Sequence, residues 1–190
     1  PITQLDVSGT SVFNLGNIKS LKGIEAFTNL EELNCRNNVI DSIDATGLMA
    51  LRKLLCDFNQ IQTLNLNSNS DLRELFCWSN QLTSLDLSNN NLLEELDCTG
   101  NQLTSLDLGN HPLLKNIGCN SNLITNITVG NSPLLKDLFC ENNQLTALDL
   151  SQNMSLTALG CANNQLNYIN LKNGNNHNII YLNSTLNNTL

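Results

Sequence analysis

Seven cysteines are the residues of this sequence best suited to chemistry, and they recur at a constant spacing of 21 residues. Thiols at regular spacing could form disulfides, bind a soft metal, or pack as small apolar side chains in a core. They are Cys35, Cys56, Cys77, Cys98, Cys119, Cys140 and Cys161. The constant period includes every cysteine in the chain, so it indicates an internal repeat before it indicates a disulfide pattern.

Residues for catalysis are sparse. The two histidines, His111 and His177, lie in a turn and a loop without a partner residue at a fixed spacing, and we expect both at the surface. The sequence contains no HExxH, nucleophile elbow, phosphate-binding loop or CxxC motif. The repeated Asp-Leu-Ser triplets belong to the repeat and have no triad arrangement. The sequence therefore predicts a protein that is not an enzyme and that has no cofactor.

Acidic residues form an incomplete column at the same spacing. Its members are Asp44, Asp86, Asp107 and Asp149. Carboxylate oxygens are ligands for Ca²⁺, but Asn65, Thr128 and Asn170 interrupt the column, and it lacks glycine-rich aspartate loops. The pattern favours a solvated face, and we expect no metal site.

Leucine and asparagine complete the repeat, whose consensus is LxxLxCxxNxLxxLDLSxNxx. An asparagine follows each cysteine by three residues. These asparagines are Asn38, Asn59, Asn80, Asn101, Asn122, Asn143 and Asn164. A buried amide has donors and an acceptor that suit backbone groups of its own and adjacent coils. We therefore predict a structural role for this column.

The unit resembles the leucine-rich repeat, and its 21-residue cysteine-containing form resembles the internalin-like repeats of secreted bacterial surface proteins. The match covers residues 30–176 without a gap. The resemblance implies a mainly β solenoid, a curved right-handed array with a parallel concave sheet and few or no helices. It also implies a secreted or cell-surface location and a role in binding another protein, as in adhesion.

Energetics agree with a stacked array. Each coil has about six apolar side chains worth roughly 1.5–3 kcal/mol each on burial, whereas ordering the backbone costs about 1–2 kcal/mol per residue. One coil cannot fold alone, but stacked coils share their walls. We predict one domain over residues 1–190, with an irregular first coil at 1–29, seven regular coils at 30–178 and a partial last coil at 179–190. Because end coils need polar caps, we expect a fragment of a longer protein.

The alternation around each cysteine predicts a short strand, and eight such strands at roughly 4.8 Å spacing would form a sheet about 35 Å long. Equivalent Cβ atoms on such strands are about 4.8 Å apart, whereas a disulfide requires about 3.5–4.5 Å. An odd number of cysteines would also leave one unpaired. We therefore predict a ladder of free, buried thiols.

Residues that flank each cysteine should point outward on the concave sheet. Trp78 and three of the five phenylalanines lie on this face or its rim. Exposed aromatic clusters beside arginine are typical of binding hot spots. The predicted ligand-binding residues are Arg52, Leu55, Asp57, Phe58, Arg73, Phe76, Trp78 and, as a weaker second site, Phe139 and Glu141.

The charge balance limits the partners. A net charge of −8 disfavours nucleic acid and anionic membranes, and no apolar run of 18 residues is present to insert into a membrane. We expect a monomeric domain whose partner is a protein, such as one on a host or neighbouring cell. A carbohydrate-binding surface module and a structural spacer that displays another domain remain as alternatives.

Overall fold

The computed structural model describes residues 1–10, 16–109, 111–130 and 132–187. Within these ranges the main element is a parallel sheet of nine three-residue strands, to which successive coils contribute in sequence order. The strands are β1 (Gln4–Asp6), β2 (Glu32–Asn34), β4 (Lys53–Leu55), β6 (Glu74–Phe76), β7 (Glu95–Asp97), β9 (Asn116–Gly118), β11 (Asp137–Phe139), β13 (Ala158–Gly160) and β15 (Tyr181–Asn183). The prediction of eight strands is wrong by one, because the irregular first coil and the partial last coil both contribute a strand.

Three two-stranded parallel sheets form in the second half of the coils in the described part of the chain. They pair β3 (Ser42–Asp44) with β5 (Thr63–Asn65), β8 (Ser105–Asp107) with β10 (Asn126–Thr128), and β12 (Ala147–Asp149) with β14 (Tyr168–Asn170). The helical segments of the described residues are two 3-10 turns, Ile24–Ala26 and Asn176–Asn178. No helix in these ranges is long and apolar enough to cross a bilayer. The prediction of a mainly β solenoid is confirmed.

The constant period sets the register of the long sheet. Leu54 pairs with Leu33 on one side and with Leu75 on the other, and all three are fully buried. A slip of one residue would turn these leucines to solvent and the polar flanking residues to the core. The in-register pairing therefore follows from burial of the central residue in the seven inner strands of the long sheet, β2 to β13.

The cysteines line the core as predicted. All seven thiols are free and fully buried. Burial raises the pKa of the Cys35 thiol to about 12 and that of Cys161 to about 11. These thiols therefore stay protonated near neutral pH, and the thiolate, which is the reactive form, is disfavoured.

The asparagine ladder is also confirmed. Asn101 Nδ2 donates to the carbonyl oxygens of Cys98 at 3.0 Å and of Cys77, one coil earlier, at 3.1 Å. Its Oδ1 accepts from Leu82 N at 3.0 Å. The same bonds recur from Asn59 to Asn164. Each amide thus joins its own coil to the preceding one.

Sequence reasoning missed a second buried polar column, at the end of the Leu-Asp-Leu half of the coil. Its members are Asn69, Asn90, His111, Ser132 and Asn153. Asn90 Nδ2 donates to Leu66 O at 3.2 Å and to Asn69 O at 2.8 Å, both in the preceding coil. The signal was the second asparagine of the consensus, whose 21-residue spacing matches that of the first.

His111 belongs to this column, so the prediction that it lies at the surface is wrong. Its side chain is only 2% exposed, because the residue occupies the inward position held by Asn90 one coil earlier. Its ring nitrogens face the carbonyl oxygens of Leu87, at 3.2 Å, and Leu108. Burial is the largest influence and lowers the pKa of His111, against the opposing effects of the Leu87 carbonyl and of Asp107. His177 is exposed, as expected.

The acidic column caps turns. Asp86 Oδ1 accepts from Ser88 N at 3.0 Å, and Asp107 and Asp149 accept in the same way from the backbone two residues later. These bonds with Ser88 lower the pKa of Asp86. Asn65 makes the equivalent bond at 3.3 Å, so an asparagine that interrupts the column keeps its function. The carboxylates are exposed, as predicted, but each accepts a hydrogen bond from the backbone of its own turn.

Candidate interaction surface on the concave sheet

Two aromatic rings from neighbouring coils meet on the outer side of the long sheet. The centroids of Phe58 and Trp78 are 4.1 Å apart, with an angle of 66° between the ring planes. Both side chains are half-buried. An edge-to-face pair of this kind contributes about 0.5–1.5 kcal/mol beyond area burial. The structure therefore brings together two of the residues that the sequence predicted for one site.

Phe58 occupies a left-handed backbone position, with φ of 53°. The position precedes the ladder asparagine, and its equivalents are small or polar. They are Asn37, Ser79, Gly100, Ser121, Asn142 and Asn163. A bulky residue at positive φ is uncommon, and this conformation costs roughly 1–2 kcal/mol for a residue with a Cβ. Strain of this kind is concentrated at functional sites.

Leu55 and Asp57 lie beside this pair, but the expectation that they are exposed is wrong. Leu55 is 8% exposed and Asp57 is 2% exposed. Leu55 lies between Asn34 and Phe76 at the same register position, so side chains about 4.8 Å away on both sides shield it. Asp57 accepts from Arg36 at 2.8 Å. Both residues are therefore too buried to belong to the exposed contact surface.

Asp57 shows the electrostatic effect of this burial. Burial raises the pKa of Asp57, although the hydrogen bonds and charge of Arg36 oppose the shift. The guanidinium is the one cation that the described residues place on this carboxylate. The pair therefore joins Asp57 to the preceding coil.

The two predicted arginines are exposed and directly precede β4 and β6, whose other ends lead to Phe58 and Trp78. Arg52 pairs with Glu31 at 3.4 Å, and Arg73 pairs with Glu94 at 2.7 Å. Glu94 also accepts from Lys115 at 2.6 Å, and these partners, Lys115 first, lower the pKa of Glu94. Exposed ion pairs contribute only about 0–1 kcal/mol. Arg52 and Arg73 can therefore exchange these partners for a ligand at small cost.

The predicted second site contains a residue that sequence reasoning missed. The ring of Phe139 lies 6.0 Å from that of Tyr181, centroid to centroid, with a tilt of 53°. Tyr181 begins β15, and the two extra residues of the preceding loop remove it from the 21-residue spacing. The Tyr-Leu-Asn pattern of a strand was the available signal. Glu141 leans over Gly160, where a Cβ atom would lie 2.1 Å from its Oε1.

A cavity of about 190 Å³ lies between Phe76 and Phe139. These residues occupy equivalent positions on β6 and β11, and Asp97 on β7 and Gly118 on β9 lie between them. Gly118 has no side chain, so the surface is low at this point and the two phenylalanines form opposite walls. The sequence placed Phe76 and Phe139 in separate sites, whereas the structure joins them across the sheet.

Three carboxylates line this cavity, from Glu95, Asp97 and Asp137. None of them forms an ion pair with another described residue. Asp97 accepts from Thr99 N at 3.0 Å, and Asp137 accepts from Thr157 Oγ1 at 3.2 Å. The cavity is therefore acidic as well as aromatic.

The chemistry available on this face is stacking, ion pairing and hydrogen bonding. Within the described residues, no group of three or more His, Cys, Asp and Glu side chains is arranged to hold a metal ion. Repeat solenoids of this architecture present an extended concave binding surface.

No protein-family model and no curated protein sequence matches this chain. Solved structures do match. The functional domain of InlJ from Listeria monocytogenes, described as including a cysteine ladder, has a TM-score of 0.87 and 32% identity over 97% of this chain. The leucine-rich-repeat protein LIC12759 of Leptospira interrogans has a TM-score of 0.75 and 25% identity over 90% of it. YopM from Yersinia enterocolitica has a TM-score of 0.73 and 25% identity over 83% of it.

These similarities and the ladders define the class, and this chain is a leucine-rich-repeat protein. Its 21-residue repeats resemble the cysteine-ladder repeats of the internalin-like InlJ domain. The chain spans 39%, 46% and 34% of the lengths of the InlJ, LIC12759 and YopM chains, respectively.

Proposed function

We propose that this protein is a non-enzymatic binding module of a secreted or cell-surface bacterial protein, and that as a monomeric domain it holds another protein on its concave face, as in adhesion. The observation that carries the proposal is the half-exposed Phe58–Trp78 pair, with Phe58 in a left-handed conformation. Tryptophan and arginine are enriched at binding hot spots, and the exposed Arg52 and Arg73 lie on the same two coils as the pair. The bacterial surface location is supported by the repeat resemblance, and InlJ also comes from a bacterium.

The anchor of the proposed interface is smaller than the sequence suggested. Leu55 and Asp57 are buried, so the side chains able to contact a partner here are Phe58, Phe76 and Trp78, which we call the aromatic patch. A rigid aromatic cluster loses little conformational entropy on binding, because each ring has only two rotatable bonds. Asp57, which pairs with the half-buried Arg36, directly precedes Phe58 in the chain.

Substitution of Trp78 by alanine tests the proposal. The wild-type protein and the variant would be immobilised and used to capture proteins from the extracellular fraction of cells, and the affinity of each purified captured protein would then be measured by calorimetry. We expect Trp78→Ala to weaken binding by about 2 kcal/mol or more, with the far-UV spectrum and thermal midpoint nearly unchanged. Phe58→Asn, which suits the left-handed position, should weaken binding without unfolding the coil.

The matched control is Met154→Ala, because Met154 is 59% exposed and lies in a turn outside the sheet. This change should leave affinity unchanged. A captured protein whose affinity is the same for Trp78→Ala as for the wild type would remove the patch from the interface. Failure of the wild type to hold any purified protein would favour the structural spacer.

A carbohydrate-binding module is the second candidate, favoured by the half-exposed Trp78 ring beside a polar face. Aromatic rings present the apolar faces on which sugars stack, and amide and carboxylate groups pair with hydroxyls. A glycan array probed with the wild type and Trp78→Ala distinguishes the two. Glycan binding that depends on Trp78, without a protein partner, would replace our proposal.

A further inference from the structure

The cavity between Phe76 and Phe139 has the size of a single side chain. Its volume is about 190 Å³, and one water occupies about 30 Å³ of liquid. It therefore has room for about six non-hydrogen atoms, which is close to the number in a lysine or arginine side chain. A helix or a strand of a partner would be too large to enter.

The charge of this region selects a cation. The strands from β7 to β15 contain no lysine or arginine, whereas Glu95, Asp97 and Asp137 all point into the cavity. Of the basic side chains at this end of the strands, Lys53 pairs with Glu74 at 2.6 Å, and Arg73 and Lys115 share Glu94. Lys136, which precedes Asp137, is exposed and forms no ion pair with the described carboxylates. Among the described residues, none of the three carboxylates is therefore neutralised by an ion pair.

The hydrogen bonds of the cavity show a shortage of donors. The amide of Asn116 lies between Glu95 and Asp137. In one orientation its NH₂ group donates to Glu95 Oε1 at 3.3 Å, and in the reverse orientation it donates to Asp137 Oδ2 at 3.2 Å. One of the two carboxylates is left without this donor in either case. A ligand that brings several N–H donors would supply both.

The aromatic walls complete the match. A cationic head group is attracted to the face of an aromatic ring, and the apolar stem of lysine or arginine packs along such rings while the head reaches polar groups. Arginine also presents five donors in a planar fork that suits carboxylates. An anionic or neutral side chain would gain from the rings but not from the three carboxylates.

We propose that this cavity receives an arginine or lysine side chain of the protein partner, with the stem between Phe76 and Phe139 over Gly118 and the head among Glu95, Asp97 and Asp137. This inference rests on the proposed function and deepens it, because it gives the chemistry of a second contact three coils from Phe58. The partner segment is therefore basic, in keeping with the net charge of −8 on this chain.

A peptide titration tests the inference. Acetyl-Gly-Arg-Gly-amide would be added to the ¹⁵N-labelled protein, and the amide signals of Gly118 and Phe139 would be followed by NMR. The control probe is the same peptide with citrulline, which has a similar shape and no charge. We expect saturable shifts with the arginine peptide and affinity at least about tenfold weaker with citrulline. Added sodium chloride should weaken the arginine complex only.

Two variants locate the effect. Asp97→Asn with Asp137→Asn should abolish the arginine shifts, whereas Asp86→Asn with Asp149→Asn makes the same change in net charge at exposed turns and should not. Gly118→Val should also abolish them, since a Cβ at Gly118 meets the movable carboxylate of Asp97 at 2.9 Å and the larger side chain fills the cavity. Far-UV spectra and thermal midpoints establish that each variant is folded.

Three outcomes would overturn the inference: no saturable shift with the arginine peptide, equal affinity for the citrulline peptide, or an equal loss in the turn variant. Saturable shifts of the same signals by methyl α-mannoside, without an effect of the arginine peptide, would make the cavity a sugar site instead. The NMR signals that are followed belong to Gly118 on β9 and Phe139 on β11, and not to the coil of Phe58. A failure here would leave the Trp78 test of the proposed function standing, and the reverse also holds.

Discussion

The ladder side chains connect each coil to its neighbours through atoms that have no other buried partner. The carbonyl oxygen of Cys98 accepts from Asn101 of its own coil at 3.0 Å and from Asn122 of the next coil at 3.1 Å. Buried backbone groups without hydrogen bonds are costly. An amide at this position therefore stabilises two coils at once, while the adjacent thiol fills the space that the strand leaves in the core.

Replacement of Asn101 by alanine should lower the free energy of unfolding by about 1–3 kcal/mol. The change removes the bonds to Cys77 O and Cys98 O and leaves Leu82 N buried without an acceptor. Urea denaturation followed by circular dichroism measures the difference. Asn91→Ala is the control, because Asn91 is exposed and such changes stay within about 0.5 kcal/mol. Equal midpoints for the two variants would contradict the ladder's role.

His111 should make the folding stability of the protein depend on pH. Since burial lowers its pKa in the folded state, the neutral ring contributes stability above the unfolded pKa of about 6.5, and this contribution is lost as pH falls through the folded pKa. His111→Asn restores the residue found at Asn90 and does not titrate. The wild type should therefore lose more stability than the variant between pH 7 and about 5.

Thermal unfolding of both proteins across this range measures the effect, and the readout is the difference between the two curves. Subtraction cancels the titration of the aspartates that both proteins share. Parallel curves would show that His111 does not become harder to protonate on folding.

At the scale of the element, each strand is too short to be stable alone. The strands have three residues, and the central one is buried in the seven inner strands of the long sheet. Their register repeats from coil to coil. The turns that join them use the Asp and Asn side chains at positions such as Asp86, which accept backbone bonds two residues later. Left-handed residues before each ladder asparagine complete the loop. Local turn chemistry therefore fixes the path, and stacking supplies the stability.

Each cysteine directly follows a strand of the long sheet and is fully buried there, which predicts the reactivity of its thiol. In the folded protein at pH 8, iodoacetamide should alkylate none of the seven cysteines on the timescale on which it modifies free cysteine, because burial excludes the reagent and raises the thiol pKa. In urea all seven should react. Mass spectrometry counts the modified residues. Fast native alkylation of Cys98, in the middle of the array, would contradict the burial of the ladder.

At the scale of the whole molecule, the solenoid is a sum of coils that contact only their neighbours. Its stability is thus spread along the array, and its concave face gains area with every coil. The aromatic patch at Trp78 and the acidic cavity at Gly118 lie on the same sheet. The strands involved run from β4 to β9, and β9 is the third strand after β4 in the sheet order. One partner chain can therefore contact both.

Removal of one whole coil tests this description. Deletion of residues 135–155 joins Leu134 to Leu156 and keeps the 21-residue phase. We expect a folded β protein whose urea m-value falls in proportion to the buried area that is lost. Deletion of residues 135–154 shifts the following coils by one residue and should prevent their stacking. Equal stability of the two deletions would show that the register does not hold the array together.

Much of this molecule followed from the repeat. The burial of Leu54 and Cys98, the hydrogen bonds of Asn101 and the parallel sheet were all predicted, because equivalent residues of an in-register stack share one environment. The proximity of Phe58 and Trp78 was predicted for the same reason. Tyr181 was missed because two added residues move it out of phase.

The sequence by itself determined whether each column of equivalent residues is usually buried or exposed, because a constant spacing of 21 residues stacks equivalent residues on one another. Individual exposure was decided only in three dimensions. Asp57 is buried because Arg36 reaches across from the preceding coil, and His111 because its position points inward. The acidic cavity exists because Gly118 lies between larger side chains on adjacent strands. The physical reason is that the burial and the electrostatic environment of a side chain depend on residues one and two coils away. No single repeat contains those residues.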